Sequence, residues 1–172
     1  QIATSQATYF DHLFTTVSMV CVTGLFTQPV AETYNVFGQI ICMILMQIGG
    51  LGLMSIIAFF LYDSGKKMSL VDKLALQDSL NREDGQDFKK YLTTIFKYTF
   101  VIELIAAVIL SFRFVPELGT GKGIFTAVFL AISAFCNSRF DNLGSNSLIN
   151  YATDPLLNLV IAALIILGGI GF

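Results

Sequence analysis

The chain has 172 residues, of which 55% are hydrophobic and 13% are charged, and its formal net charge is −2. The mean hydropathy of +0.73 exceeds what a soluble domain of this length usually carries, so we expect a membrane protein. The near-neutral charge and the absence of a basic cluster interleaved with aromatic residues argue against a nucleic-acid-binding protein.

Metal, disulfide and enzyme sites have little support in the sequence. The three cysteines, Cys21, Cys42 and Cys136, form no CxxC pair, and His12 is the one histidine, so a zinc site or a disulfide framework is not expected. Neither an HExxH nor a GxSxG motif occurs, and an intramembrane enzyme is therefore the least favoured reading. We expect that the protein is not an enzyme.

The apolar residues are concentrated in five runs of two lengths. Phe37–Tyr62, Leu92–Phe112 and Pro155–Phe172 are each near the ~20 residues needed to cross the hydrocarbon core of a bilayer. Ala7–Val20 and Gly123–Cys136 are shorter, at about 14 residues, a length that fits a buried or re-entrant helix better than a span. The sequence therefore predicts three spanning helices and two short ones.

The two short runs end in related sequences, which indicates an internal duplication. Ser18 and Cys21 correspond to Ser133 and Cys136, both at a shift of 115 positions. In each copy, a short loop of small or polar residues follows the short helix.

The helices that follow these loops also correspond. The glycine-rich block Gln47–Leu53 matches Ile166–Phe172 at a shift of 119 positions, and the same shift relates Asn35 to Asp154. Asn35 and Asp154 are typical first residues of a helix, and a proline follows the aspartate. Thr8, with an aspartate three residues later, is expected to begin the first short helix through a variant of the capping box.

Each copy then reads as part of a unit composed of span, short pore helix, loop and span. Non-helical backbone at membrane depth is tolerated only where it is buried in protein or lines a watery cavity. The pore helix would present its partially negative C-terminal end to that cavity, and the loop can turn carbonyl oxygens toward a monovalent cation. We therefore predict an all-α membrane protein made of repeated, potassium-channel-like units around a cation pore.

Cys21–Leu25 and Ile48–Gly52 resemble the first filter and inner helix of KtrB-like pore subunits, within the Ktr/Trk/HKT cation transporter superfamily. The second loop and the helix after Asp154 resemble the second repeat of the same family. Because that family has four repeats around one pore, and because this chain starts at Gln1 and stops inside an apolar run at Phe172, we expect a fragment that covers most of repeats one and two.

The resemblance implies potassium uptake, with sodium as a second possible substrate, across the cytoplasmic membrane of a bacterium. It implies potassium held by backbone carbonyls, no side-chain metal site and no organic cofactor. It further implies a homodimer of pore subunits, embedded in lipid, that rests on a cytoplasmic ring of nucleotide-binding subunits.

The same resemblance implies a selectivity filter and a division of the chain. Residues 1–62 would hold the pore helix, filter loop and inner helix of repeat one, 63–91 a cytoplasmic linker, and 92–172 the outer span, pore helix, filter loop and inner helix of repeat two. The filter residues would be Cys21, Val22, Thr23, Gly24, Cys136, Asn137, Ser138 and Arg139.

Arg139 departs from the family, which has a small residue at the position that corresponds to Gly24. Its guanidinium is always protonated, and inside a cation filter it would oppose ion entry. Three readings follow: the side chain turns away toward Asp141 or solvent, it blocks or alters the filter and makes an impaired subunit, or the two loops are misaligned. We expect the first, with Asp141 as the nearest acidic partner.

Glu103 lies inside the predicted span Leu92–Phe112, where an ionisable group is costly and indicates a specific role. Hydrogen bonding behind the filter or a pore helix is the expected role. Direct ion binding and pairing with Arg139 are the alternatives.

The only charge-rich segment, Asp63–Lys90, carries six basic and six acidic residues. The excess of lysine and arginine on this side of the spans predicts a cytoplasmic segment, with the filter loops entering from outside. Single cysteines at Ser64 or Gln86, in a cysteine-free background, are expected to resist membrane-impermeant thiol reagents in intact cells. Labelling of these cysteines without permeabilisation would contradict the predicted orientation. Labelling after permeabilisation is the control for their reactivity.

Overall fold

The computed structural model describes residues 6–52 and 88–170. The chain divides into one unit formed by Gln1–Gly50 with Val101–Phe172 and another formed by Leu51–Phe100. Across the described residues the structure is helical and contains no strand, so the predicted all-α class is confirmed. The elements are α1 (Tyr9–Val20), α2 (Val30–Thr33), α3 (Val36–Gly50), α4 (Phe88–Leu118), α5 (Thr120–Phe135), a 3-10 helix (Ser147–Tyr151) and α6 (Pro155–Gly169).

The predicted helix starts are confirmed by side-chain hydrogen bonds. Thr8 and Asp11 form a reciprocal capping box at α1, and hydrogen bonds from the Thr8 hydroxyl and backbone N–H lower the pKa of Asp11 to about 2. The Asn35 side chain accepts from the N–H of Gly38 at 2.9 Å, while Asp154 accepts from the first N–H groups of α6. Local sequence was sufficient here because a cap acts within its own first turn.

Helix α4 continues beyond the predicted span Leu92–Phe112, as far as Leu118. Arg113 donates to Glu117, one turn later, at 2.7 Å and also to Asp154 at the start of α6. These two acceptors pair with the Arg113 guanidinium, so the helix continues past this charged residue although the apolar run ends before it. Residues 63–87 of the predicted linker 63–91 lie outside the described residues. Its last four residues, 88–91, belong to α4.

Helix α5 begins at Thr120 rather than at the predicted Gly123. Gly119 has a φ of 84°, a left-handed conformation that glycine adopts without a steric cost. The boundary between α4 and α5 is therefore set by this glycine and not by the edge of the apolar run.

Among the described residues one segment, Thr93–Leu118 of α4, is long and apolar enough to cross a membrane: it has 26 residues and contains an 18-residue window with a mean hydropathy of 2.0. The other apolar helices are shorter: Val36–Gly50, Thr120–Phe135 and Pro155–Gly169. Because the predicted spans Phe37–Tyr62 and Pro155–Phe172 extend past the described residues, their full lengths stay predictions.

Two clusters of buried side chains hold the unit of Gln1–Gly50 and Val101–Phe172 together. The larger one joins the second half of α4 to α5 and α6 through residues such as Leu110, Phe114 and Leu130. In the smaller one, Met19 of α1 and Met46 of α3 meet Phe129 of α5. Helix α5 contributes to both clusters and so connects the two halves of this unit.

Glycines on α3 and α6 allow close contact with the ends of the short helices. A Cβ added to Gly49 would lie 2.5 Å from the carbonyl oxygen of Val20, and one added to Gly168 would lie 1.8 Å from that of Phe135. The two contacts match at the predicted shifts of 119 and 115 positions. These contacts indicate that Gly49 and Gly168 serve close helix packing, which is the common role of small residues in membrane helices.

We expect Gly168→Ala to destabilise the protein by about 1 to 3 kcal/mol, because its methyl group overpacks the contact with Phe135. Gly169→Ala is the matched control, since the nearest atom to its Cβ would be 3.6 Å away, and it should be neutral or gain up to about 1 kcal/mol in helix propensity. The thermal unfolding midpoint of the purified full-length protein measures both. Equal midpoints for the two variants would contradict the close contact.

Candidate functional site

The chain turns sharply after each short helix, and its N–H groups point back to that helix. In the first loop (Cys21–Gly24), the N–H of Thr23 donates to the carbonyl of Ser18 at 2.9 Å, and in the second loop (Cys136–Arg139) the N–H of Ser138 donates to that of Ser133 at 2.9 Å. The serine hydroxyls complete the pattern by accepting from the residue after each loop: Ser18 from Leu25 at 2.8 Å and Ser133 from Phe140 at 2.9 Å. The hydrogen bonds of the two loops therefore agree with the predicted shift of 115 positions.

Both loops contain residues in the left-handed backbone region, at the same two positions. Val22 and Gly24 have φ values of 54° and 79°, and Asn137 and Arg139 have values of 55° and 60°. A left-handed φ is costly for any residue with a Cβ, and especially for β-branched valine. Strained backbone of this kind is concentrated at functional sites.

A left-handed residue next to a right-handed one brings successive N–H groups to one side of the chain, and in both loops N–H groups donate back to the preceding helix. Within residues 6–52 and 88–170, none of the carbonyl oxygens of the two loops accepts a hydrogen bond. The C-terminal ends of α1 and α5 add partial negative charge at the same place. The arrangement is a set of polar oxygens without protein donors, which is suited to cations.

The two loops lie side by side. A Cβ added to Gly24 would be 3.0 Å from the carbonyl oxygen of Ser138 and 2.8 Å from the Cβ of Arg139. The stem of the Arg139 side chain thus lies against Gly24, and the residue as a whole is exposed. This contact requires glycine at position 24 even apart from its backbone conformation.

The expected pairing of Arg139 with Asp141 is wrong. Asp141 accepts instead from the N–H of Leu143 at 3.0 Å and from the hydroxyl of Ser147. Donors two and six residues later in the chain occupy the carboxylate, and the bond to the residue two positions on is common for aspartate in loops. Among the described residues, no carboxylate forms an ion pair with Arg139.

The second loop is more enclosed than the first. Cys136 and Ser138 are buried, whereas Cys21 and Thr23 are exposed. Within the described part of the chain, the Ser138 hydroxyl is buried without a hydrogen-bond partner. The Asn137 amide donates to the carbonyl of Ile165 on α6 at 3.3 Å, so a side-chain hydrogen bond ties the second loop to α6.

Glu103 is 5% exposed and lies behind the second loop. The amide of Gln47 donates to its two carboxylate oxygens at 3.0 and 3.2 Å, and Cys136 is close to both residues. The expected hydrogen-bonding role of Glu103 is confirmed, and the alternative pairing with Arg139 is wrong. Sequence reasoning missed Gln47, for which the available signal was an amide inside an apolar run.

The sequence is similar to those of known cation transport proteins. All residues, 1–172, match the model of the TrkH family, described as cation transport protein. The potassium/sodium uptake protein NtpJ of Enterococcus hirae is 45% identical over 168 residues, which cover 97% of this chain and 37% of that protein. The Ktr system potassium uptake protein B is 41% identical in Bacillus subtilis, over 98% of this chain and 38% of that protein, and 40% identical in Vibrio alginolyticus, over 94% and 35%.

The chain belongs to the TrkH family of cation transport proteins, so it is a member of a family of membrane transporters and not of enzymes. The resemblance to KtrB-like subunits is confirmed by the two Ktr relatives. The chain spans between 35% and 38% of the length of these three relatives.

We expect Ser133→Ala to destabilise the full-length protein by about 1 to 3 kcal/mol, because the buried N–H of Phe140 loses its acceptor. Ser111→Ala is the matched control, since the Ser111 hydroxyl donates to the Ala107 carbonyl within its own helix and its loss leaves no N–H unpaired. Thermal unfolding midpoints of the purified proteins measure the difference. A Ser133 variant as stable as the Ser111 variant would show that this hydrogen bond does not hold the loop.

Proposed function

We propose that this chain forms part of the ion path of a bacterial potassium uptake protein, with sodium as a possible second substrate. The two loops would supply two walls of a carbonyl-lined filter. The observation that carries the proposal is the set of eight carbonyl oxygens in the two loops that accept no hydrogen bond within the described residues, beside the C-terminal ends of two helices.

The chemistry of the loops favours a monovalent cation. Neither loop contains a carboxylate, so a cation would be held by neutral dipoles, as in potassium filters where carbonyl oxygens replace the hydration shell. Divalent ions are usually held by carboxylates. The names of the relatives, which include potassium and potassium/sodium uptake, support the same substrates.

The surroundings of such a pore are proposed from the resemblance and from the exposed surface. Large apolar side chains are exposed on α1, α3 and α4, including Phe10, Phe37 and Phe112, and these suit lipid or further parts of the pore. We propose that the protein lies in the cytoplasmic membrane as a homodimer and works with a cytoplasmic nucleotide-binding ring, as the Ktr resemblance implies. No organic cofactor is needed for carbonyl coordination.

A second candidate function is a pore subunit whose conduction is impaired. It is favoured by one observation: the stem of the Arg139 side chain lies against Gly24, and among the described residues no carboxylate forms an ion pair with its guanidinium. A fixed positive charge near the ion path opposes cation entry, to an extent that falls where water and salt screen it.

Rubidium uptake into liposomes that contain the full-length protein tests both functions. We expect measurable uptake by the native protein. Arg139→Gly should increase it about fivefold, the factor produced by about 1 kcal/mol of relieved repulsion. Absence of rubidium uptake in both proteins would contradict the proposed function.

Two further variants separate charge from backbone strain at position 139. Arg139→Gln removes the charge but keeps a Cβ at a positive φ, and Arg139→Lys keeps the charge. If the charge limits conduction, glutamine should act like glycine and lysine like arginine. An increase with glycine alone would assign the effect to the backbone, and equal uptake by all four proteins would place residue 139 outside the ion path.

A further inference from the structure

Three polar side chains from distant parts of the sequence meet behind the second loop. Glu103 comes from α4, Gln47 from α3 and Cys136 from the loop itself. The Gln47 amide donates to both oxygens of Glu103, at 3.0 and 3.2 Å, and its carbonyl oxygen lies 3.6 Å from the Cys136 sulfur. We call these three residues the buttress.

The buttress fixes the orientation of the Gln47 side chain. Its NH₂ group is taken by the carboxylate, so its oxygen must face the opposite way, toward the thiol, which is a weak donor. The two oxygens of Glu103 therefore hold the amide in one orientation, and the amide in turn contacts the first residue of the loop.

Helix α3 contacts the same residue a second time, one turn further on. A Cβ added to Gly50 would lie 2.5 Å from both the Cβ and the sulfur of Cys136. With Gln47 and Gly50 on one face of α3, the start of the second loop is held between this helix and Glu103. A shift of α3 has to move Cys136 or break these contacts.

Among residues 6–52 and 88–170, the first loop has no matching buried carboxyl–amide pair behind it. The position that corresponds to Gln47 is Ile166, which offers no hydrogen bond and is 61% exposed. Cys21, the counterpart of Cys136, is exposed. Within the described residues the buttress contacts the loop that carries Arg139, so it can set the position of that loop relative to the first.

We propose that Glu103 and Gln47 are positioning residues that hold the second loop in register with the first and thereby determine how strongly the filter prefers potassium to sodium. This inference rests on the proposed function. Carbonyl filters discriminate between the two ions through the position and number of their oxygens, so a loop that is free to relax accepts the smaller ion more readily.

Rubidium uptake into liposomes, with increasing sodium as competitor, tests the proposal on the full-length protein. Glu103→Leu and Gln47→Leu should each raise the half-saturating rubidium concentration by up to about tenfold, the factor expected from one lost buried hydrogen bond. Both should also strengthen competition by sodium. Glu103→Gln keeps an acceptor for the Gln47 amide and should retain most of the native preference, while Leu104→Ala, at an exposed neighbouring position, is the control and should match the native protein.

Coupling within the buttress gives a second readout. The double variant Gln47→Leu/Glu103→Leu should lose no more of the preference for rubidium over sodium than either single variant, because the effects of residues that act as one unit are not additive. Gln47→Glu should impair selectivity by placing two carboxylates together, and adding Glu103→Gln should restore it by re-forming an acid–amide pair. The exchanged pair, Gln47→Glu with Glu103→Gln, tests the positioning role even if the leucine variants do not fold.

The outcomes distinguish the two proposals. If the leucine variants and Gln47→Glu alter only the amount of folded protein or the maximal rate, and leave half-saturation and sodium competition unchanged, the positioning role is overturned. If the exchanged pair is no better than Gln47→Glu alone, the role is also overturned. If the native protein itself shows no rubidium uptake, the proposed function fails instead.

Discussion

The hydrogen bonds that each short helix accepts from the loop after it are the interactions on which the candidate site depends. Ser18 and Ser133 each take two N–H groups, one on the carbonyl and one on the hydroxyl. Because the loop donors are turned toward the helix, the loop acceptors are turned away from it and have no donors among the described residues. A cation can meet this unsatisfied polarity, and the left-handed residues in each loop are the conformational cost of the arrangement.

Backbone contact between helices keeps the two loops in place. Gly49 and Gly168 allow α3 and α6 to approach the last carbonyls of α1 and α5, at a separation that any Cβ would increase. Helix α5 is also buried along most of one face and shares side chains with both hydrophobic clusters. The position of the loops therefore depends on main-chain packing, which varies less than contacts between long side chains.

The two loops share a backbone but differ in chemistry. The second loop is buried at Cys136 and Ser138, carries the charged and exposed Arg139, and is supported from behind by Gln47 and Glu103. The first loop is more exposed and has glycine at the position that matches Arg139. Their asymmetry means that equal backbone geometry does not imply equal contributions to ion binding. Arg139 and the Gln47–Glu103 pair both lie at this same loop: the stem of Arg139 lies against the first loop at Gly24, and Gln47 and Glu103 are close to Cys136.

The sequence by itself determined the features that depend on neighbouring residues or on the internal duplication. Thr8, Asn35 and Asp154 begin helices because a cap acts within one turn, and the shift of 115 positions is matched by hydrogen bonds in both loops. Only the tertiary structure decided that Asp141 is occupied by local donors rather than by Arg139. It also decided that Glu103 bonds to Gln47, 56 residues away along the chain. Such partners are selected by packing, because a buried polar group is satisfied by whichever donor the fold brings within reach.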